Sequence, residues 1–117
     1  MVTYLDAEPD MQILEPSCGT GALISALLEN GQDKITAIER SIELAQLTSD
    51  RYSLPVHTGC FLEYAEQTTA RFHRVIMNPP FKKVKLHMRA ALSLLDTGGK
   101  LIALVPITYK DGDTILR

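Results

Sequence analysis

The four residues Asn78-Pro79-Pro80-Phe81 carry the most specific chemistry in this chain. They follow the apolar run Val75-Ile76-Met77. Two consecutive prolines fix the backbone and remove two N–H donors. What remains is rich in acceptors, the Asn78 side-chain oxygen and the Pro79 carbonyl. Two acceptors converging on an –NH₂ group would hold both of its protons and steer the nitrogen lone pair toward an electrophile. Phe81 adds a flat face on which a planar amide or base could stack.

A second stretch, Glu15-Pro16-Ser17-Cys18-Gly19-Thr20-Gly21, sits between an apolar strand pattern and a helical one. Glycines let the backbone turn sharply and approach a ligand. The start of the following helix offers free N–H groups and partial positive charge. Ile24 stands where a dinucleotide fingerprint would place a third glycine. Eighteen residues after Gly21, Glu39 ends an apolar run. An acid there can accept from two ribose hydroxyls, or can instead be a surface group paired with Arg40. Phe61 follows the next short run and would either lie against an adenine or belong to the core.

These residues need elements that bring them to one edge. Strands are expected at about 11–15, 34–39, 55–58, 74–77 and 100–105. Helices are expected at about 21–29, 41–49 and 86–95, and 62–70 reads as loop or weak helix. Ile42, Ala45 and Leu44 are expected to face inward in the second helix. In the third, Leu86, Ala90, Ala91, Leu94 and Leu95 share a face. Strands alternating with helices imply right-handed βαβ units, hence a parallel sheet covered on both faces. Ligands of such sheets bind beyond the carboxyl ends of the strands. Strands one to four all carry special residues there.

At 117 residues the sequence reads as one small α/β domain. Twelve basic and fourteen acidic side chains give a net charge of −2. That balance excludes a global attraction to nucleic acid, so such contact must come from a local patch. Lys82, Lys83 and Lys85, with His87 and Arg89, form that patch, and otherwise they are a solvated face. Cys18 and Cys60 lack ligand-like spacing, so reduced thiols and no metal site are expected. The acidic N-terminus does not read as a signal peptide, and no apolar run approaches the ~20 residues of a spanning helix. A cytoplasmic protein without membrane contact is the expectation.

The glycine turn paired with Asn78-Pro79-Pro80-Phe81 resembles the class I S-adenosylmethionine-dependent methyltransferases. The likeness is to the branch that methylates adenine N6 or cytosine N4 in DNA, or a glutamine amide. Residues 87–95, with Gly98-Gly99 and the apolar run after them, resemble phage- and plasmid-borne adenine-N6 DNA methylases. The resemblance spans about residues 11–105. It implies a Rossmann-like parallel sheet of about five strands with helices on both faces. The chain departs from it in residues 106–117, which offer no counterpart of the family's usual terminal hairpin. The resemblance places S-adenosylmethionine on Glu15, Pro16, Ser17, Cys18, Gly19, Gly21, Arg40 and Cys60, with the glycine turn at its methionine end and Glu39 at its ribose. Phe61 would flank the adenine, and Asn78 would border the cofactor. Asn78, Pro79, Pro80 and Phe81 would orient and stack the target. Lys82, Lys83 and Lys85 would contact phosphates, beside a base flipped from its helix.

The first expectation is therefore methylation of adenine N6 in DNA. An RNA base, a protein glutamine, or an inactive truncated domain acting through a partner chain or homo-oligomer are the alternatives. One departure bears on the cofactor. The family carries an Asp after strand three, bonded to the adenine amine, where this chain has Cys60. Loss of such a bond is worth about 1–2 kcal/mol, roughly tenfold in affinity.

Overall fold

The computed structural model describes residues 6–19, 21–79 and 81–103, with Phe81 as backbone alone. The chain runs β1 (Ile13–Glu15), α1 (Ala22–Glu29), β2 (Ile35–Glu39), α2 (Ile42–Tyr52), β3 (Val56–Thr58) and α3 (Phe61–Gln67). It continues with β4 (Phe72–Met77), a 3₁₀ turn (Phe81–Lys83), α4 (Val84–Ser93) and β5 (Leu95–Ala103). The strands form one five-stranded sheet in the order β3-β2-β1-β4-β5, and every pairing is parallel. This is the expected Rossmann-like arrangement. The order reverses between β1 and β4, so their carboxyl ends open a crevice at the switch point.

Period-two alternation distributes the strand side chains between two cores. Ile13, Ile35 and Ile76 pack with Leu27 of α1 on one face. Ala37, on the same face, meets Ile24 of α1 and Tyr52 of α2. Leu14, Ile38, Val75, Met77 and Leu101 face the other way, against α3 and α4. All three residues of β1 are buried, as a central strand covered on both sides requires.

Several expectations change in detail. Residues 61–67 form a full helical segment, not a loop. In α2 the buried residues are Ala45 and Thr48, while Ile42 is 73% exposed. In α4 the buried stripe is Val84, His87, Met88 and Ala91, whose i, i+3, i+4, i+7 spacing defines one face. Leu86 lies off that stripe and is exposed. Leu95 belongs to β5, not to the helix, and pairs with Phe72. The ladder then slips, and Arg74 meets Lys100, which leaves Gly98 and Gly99 in the bulge. A Cβ on Gly99 would lie 2.9 Å from the Asp96 carbonyl and 3.1 Å from that of His73. Only glycine fits that crossing. Val105, the expected end of this strand, and the region of the terminal hairpin fall outside the described residues. Among the described residues no helix is long and apolar enough to cross a membrane.

The turn between β1 and α1 depends on Gly21. It caps α1 with φ 93°, and a Cβ there would strike the Tyr52 ring and Thr48 of α2. Gly21→Ala combines backbone strain with overpacking, so a loss of about 2–3 kcal/mol in unfolding free energy is expected. Urea denaturation of the two proteins checks this.

Candidate cofactor and target site

A cleft of about 500 Å³ opens at the carboxyl ends of the strands. Of the residues singled out from the sequence, it gathers Pro16 and Ser17 after β1, Glu39 at the end of β2 with Arg40 after it, and Cys60 and Phe61 at the start of α3. Asn78 after β4, and Lys82 and Lys83 beside it, complete that set. Gly59 and Leu62 add to the wall, as does His87 from α4. The size suits a nucleoside-sized ligand.

Other singled-out residues are not part of this wall. Glu15, Cys18, Gly19 and Gly21 support the turn and do not line the cleft. Pro79 is buried behind an exposed Asn78. Lys85 is exposed and lies off the cleft. Pro80 lies outside the described residues, and Phe81 opens the 3₁₀ turn.

Glu39 braces two backbones at once. The Gly19 N–H donates to its Oε1 at 2.9 Å and the Ser41 N–H to its Oε2 at 2.7 Å. The pairing with Arg40 considered from the sequence is not what holds it. Each carboxylate oxygen can accept more than one hydrogen bond, so capacity remains for hydroxyl donors. Ser41 in turn caps α2, its Oγ accepting from the Leu44 N–H. Thr48, buried mid-helix, donates through Oγ1 to the Gly19 carbonyl at 2.7 Å. The glycine turn is therefore clamped by β2 and α2, not only by its own residues.

Glu15 is fully buried beneath that turn. The Ser17 N–H donates to its Oε2 at 2.8 Å, while Oε1 has no partner among the described residues. Burial, opposed by the Ser17 hydrogen bond and reinforced by the charge of Glu39, pushes its carboxyl up to about 8. Burial, then the charges of Glu15 and Glu39, push the Cys18 thiol up to about 12, so it stays protonated and small, no nucleophile.

Phe61 is 3% exposed, joins the core with Leu14 and Met77, and still borders the cleft. The core reading from the sequence therefore holds, and the same ring also borders the cleft. Cys60 is the N-cap of α3 but makes no side-chain capping bond. An oxygen acceptor would serve better there. Cys60→Asp is expected to raise stability by about 1 kcal/mol, read as a shift of the urea midpoint at unchanged slope.

Sequence reasoning placed His87 in the outward basic patch. It is instead 8% exposed and its ring tilts against Phe61, with centroids 5.8 Å apart. Burial, with Lys83 and Arg40 nearby, lowers its pKa below the usual imidazole value. The signal was available in its spacing, three residues after Val84 and four before Ala91 on one helical stripe.

The residues present suit S-adenosylmethionine. Glu39 keeps acceptor capacity for hydroxyl donors, and Phe61 supplies a ring at the wall. Comparison with known proteins points the same way. Residues 1–111 match the methyltransferase small domain family. The tRNA1(Val) (adenine(37)-N6)-methyltransferase of Cytophaga hutchinsonii is 31% identical over 81 residues, covering 63% of this chain and 34% of that protein. The chain thus aligns with about a third of that relative's length. The crystal structure of TrmN from Thermus thermophilus superposes with a TM-score of 0.78 at 20% identity, covering 99% of this chain and 39% of that one. A ribosomal protein L11 methylase from Lactobacillus delbrueckii subsp. bulgaricus gives 0.78 at 15% identity, covering 97% and 60%. The chain belongs to the methyltransferase small domain family of S-adenosylmethionine-dependent methyltransferases.

Proposed function

We propose that this chain transfers a methyl group to adenine N6 in RNA. The observation that carries the reading is the convergence of Asn78 with Glu39 and Phe61 on one cleft at the switch point of the sheet. The RNA target is supported by the relative whose name specifies tRNA adenine N6. The sequence alone favoured DNA, through the likeness of residues 87–95 and Gly98-Gly99 to DNA methylases. That likeness keeps DNA as the second reading.

When bound, S-adenosylmethionine supplies an electrophilic methyl on a sulfonium. The chain's residues do the rest by position. Asn78 Oδ1 and the Pro79 carbonyl accept from the two N–H bonds of the amine. Its lone pair is then aimed at the methyl carbon, and the positive charge that grows on nitrogen is offset by the two acceptors. Pro79 has no N–H, so no backbone donor competes at that point. The amine would take the methyl as the C–S bond breaks, and the proton displaced from the amine would leave to solvent. Glu39 holds the ribose, Phe61 flanks the adenine of the cofactor, and Phe81 stacks on the target base. Lys82 and Lys83 at the rim, and Lys85 beyond it, meet backbone phosphates.

A substrate panel tests this. The chain is incubated with labelled S-adenosylmethionine and tRNA, single-stranded DNA, duplex DNA or a protein extract. Nucleosides are then resolved by mass spectrometry. N6-methyladenosine from tRNA is expected. Label confined to N6-methyldeoxyadenosine would establish the second reading, and label in protein alone would reject both.

A further inference from the structure

His87 is a polar group on an otherwise apolar stripe. Val84, Met88 and Ala91 of α4 point inward with it, and an aliphatic side chain would satisfy that packing. Burying an imidazole nitrogen without a partner costs free energy. Its Nδ1 is sealed from solvent and has no hydrogen-bond partner among the described residues. A buried polar atom left over in this way calls for a specific reason.

The tautomer follows from burial. An unpaired lone pair is tolerated more readily inside a protein than an unpaired N–H. The proton of the neutral ring therefore belongs on Nε2, and Nδ1 is the bare nitrogen. Arg40 and Lys83 flank the ring and oppose a second proton. His87 also forms part of the cleft wall, beside Phe61 and Cys60. With Nδ1 turned into the protein, the edge presented to the cleft carries the Nε2–H donor. Next to it, Cys60 offers only a thiol where a carboxylate would accept from an adenine amine.

We propose that His87 reads the purine of the cofactor, its Nε2–H donating to a ring nitrogen of the adenine at the part of the cleft where Cys60 supplies no carboxylate. This rests on the reading of the cleft as the S-adenosylmethionine site. Recognition of the purine thereby passes from an acceptor on the strand-three loop to a donor on α4.

The test uses calorimetric titration of the chain with S-adenosylhomocysteine, together with thermal unfolding without ligand. His87→Leu fills the same volume without a polar atom, so its unfolding midpoint is expected to match or exceed that of the parent. Its affinity is expected to fall about tenfold, the worth of one such bond. His87→Gln, whose amide nitrogen can take the place of Nε2, should stay within about threefold of the parent. A second arm uses 1-deaza, 3-deaza and 7-deaza forms of the ligand, each with one ring nitrogen replaced by CH. One of the three should bind the parent about tenfold more weakly and lose that penalty in His87→Leu. Unchanged affinity in a folded His87→Leu overturns the inference while leaving the cofactor site intact. So does equal binding of all three deaza ligands by the parent, whether or not the Leu variant folds. No binding of S-adenosylhomocysteine by the parent overturns the cofactor site itself, and the inference with it.

Discussion

Replacing Asn78 by Ala is expected to lower the methyl-transfer rate by about 100-fold or more, while S-adenosylhomocysteine binding changes less than about threefold. The separation follows from where Asn78 sits. It is exposed at the end of β4 and holds up no core packing, so its loss leaves the fold unchanged. The bracing of the glycine turn belongs to Glu39 and Thr48, which the substitution does not touch. What disappears is one of two acceptors for the target amine. Single-turnover kinetics at saturating cofactor read the chemical step directly. Full activity in the variant would remove Asn78 from the reaction and leave the amine to be oriented by other groups.

The second large effect concerns Glu15 and pH. Its carboxyl is pushed from 4.5 to about 8 by burial. Between those values the folded chain keeps a proton that the unfolded chain has released. The unfolding free energy contributed by this group is therefore fully present below 4.5 and declines as pH rises. The decline approaches about 1.4 kcal/mol per pH unit and levels off above about 8. Over the whole window it amounts to something on the order of 5 kcal/mol. Glu15→Gln cannot ionise, so its profile should be flatter, and above pH 8 the variant should be the more stable protein. Urea midpoints across pH 5–9 for both chains measure this. A parent and variant with parallel profiles would mean that Glu15 is already ionised in the folded chain.

The parts of this site that could be read from the sequence are those carried by local chemistry. A strand running into Gly19 and Gly21, and another running into Asn78-Pro79, mark their own positions, because few residue types tolerate those backbones. The alternation of apolar runs with helical ones was enough for the parallel sheet. The errors lie where a helix has apolar residues on more than one side. Ile42 and Leu86 are as hydrophobic as their buried neighbours. Which stripe meets the sheet is decided by strands far away in sequence, and in α2 the sheet takes the small Ala45 and Thr48.

The same limit hid the second task of Glu39. That an acid ends β2 is visible in the sequence. That it accepts from Gly19, twenty residues earlier, depends on the register of β1 against β2, where Glu15 meets Ala37. His87 was assigned by its cationic neighbours, Lys85 and Arg89, when its apolar neighbours Val84 and Met88 were the better guide. Cys60 was legible as a departure from the family, but its lack of a capping bond at α3 emerges only from the structure.

The clamp on the glycine turn also changes how variants of Glu39 should be read. Glu39→Ala would remove two backbone braces together with any contact to the ribose. Loss of binding in that protein would not separate the two. Asn78, His87 and Cys60 are cleaner probes, because the turn does not rest on them.

The central claim is that the cleft at the carboxyl ends of β1 to β4 is where the cofactor binds. Amide chemical shifts of the ¹⁵N-labelled chain, followed during titration with S-adenosylhomocysteine, test it most directly. The expected result is saturable shifts of Ser17, Cys18, Gly19, Arg40, Cys60, Phe61 and Asn78, with the outer face of α2 around Ile42 unmoved. Shifts centred elsewhere, or none up to millimolar ligand, would contradict it.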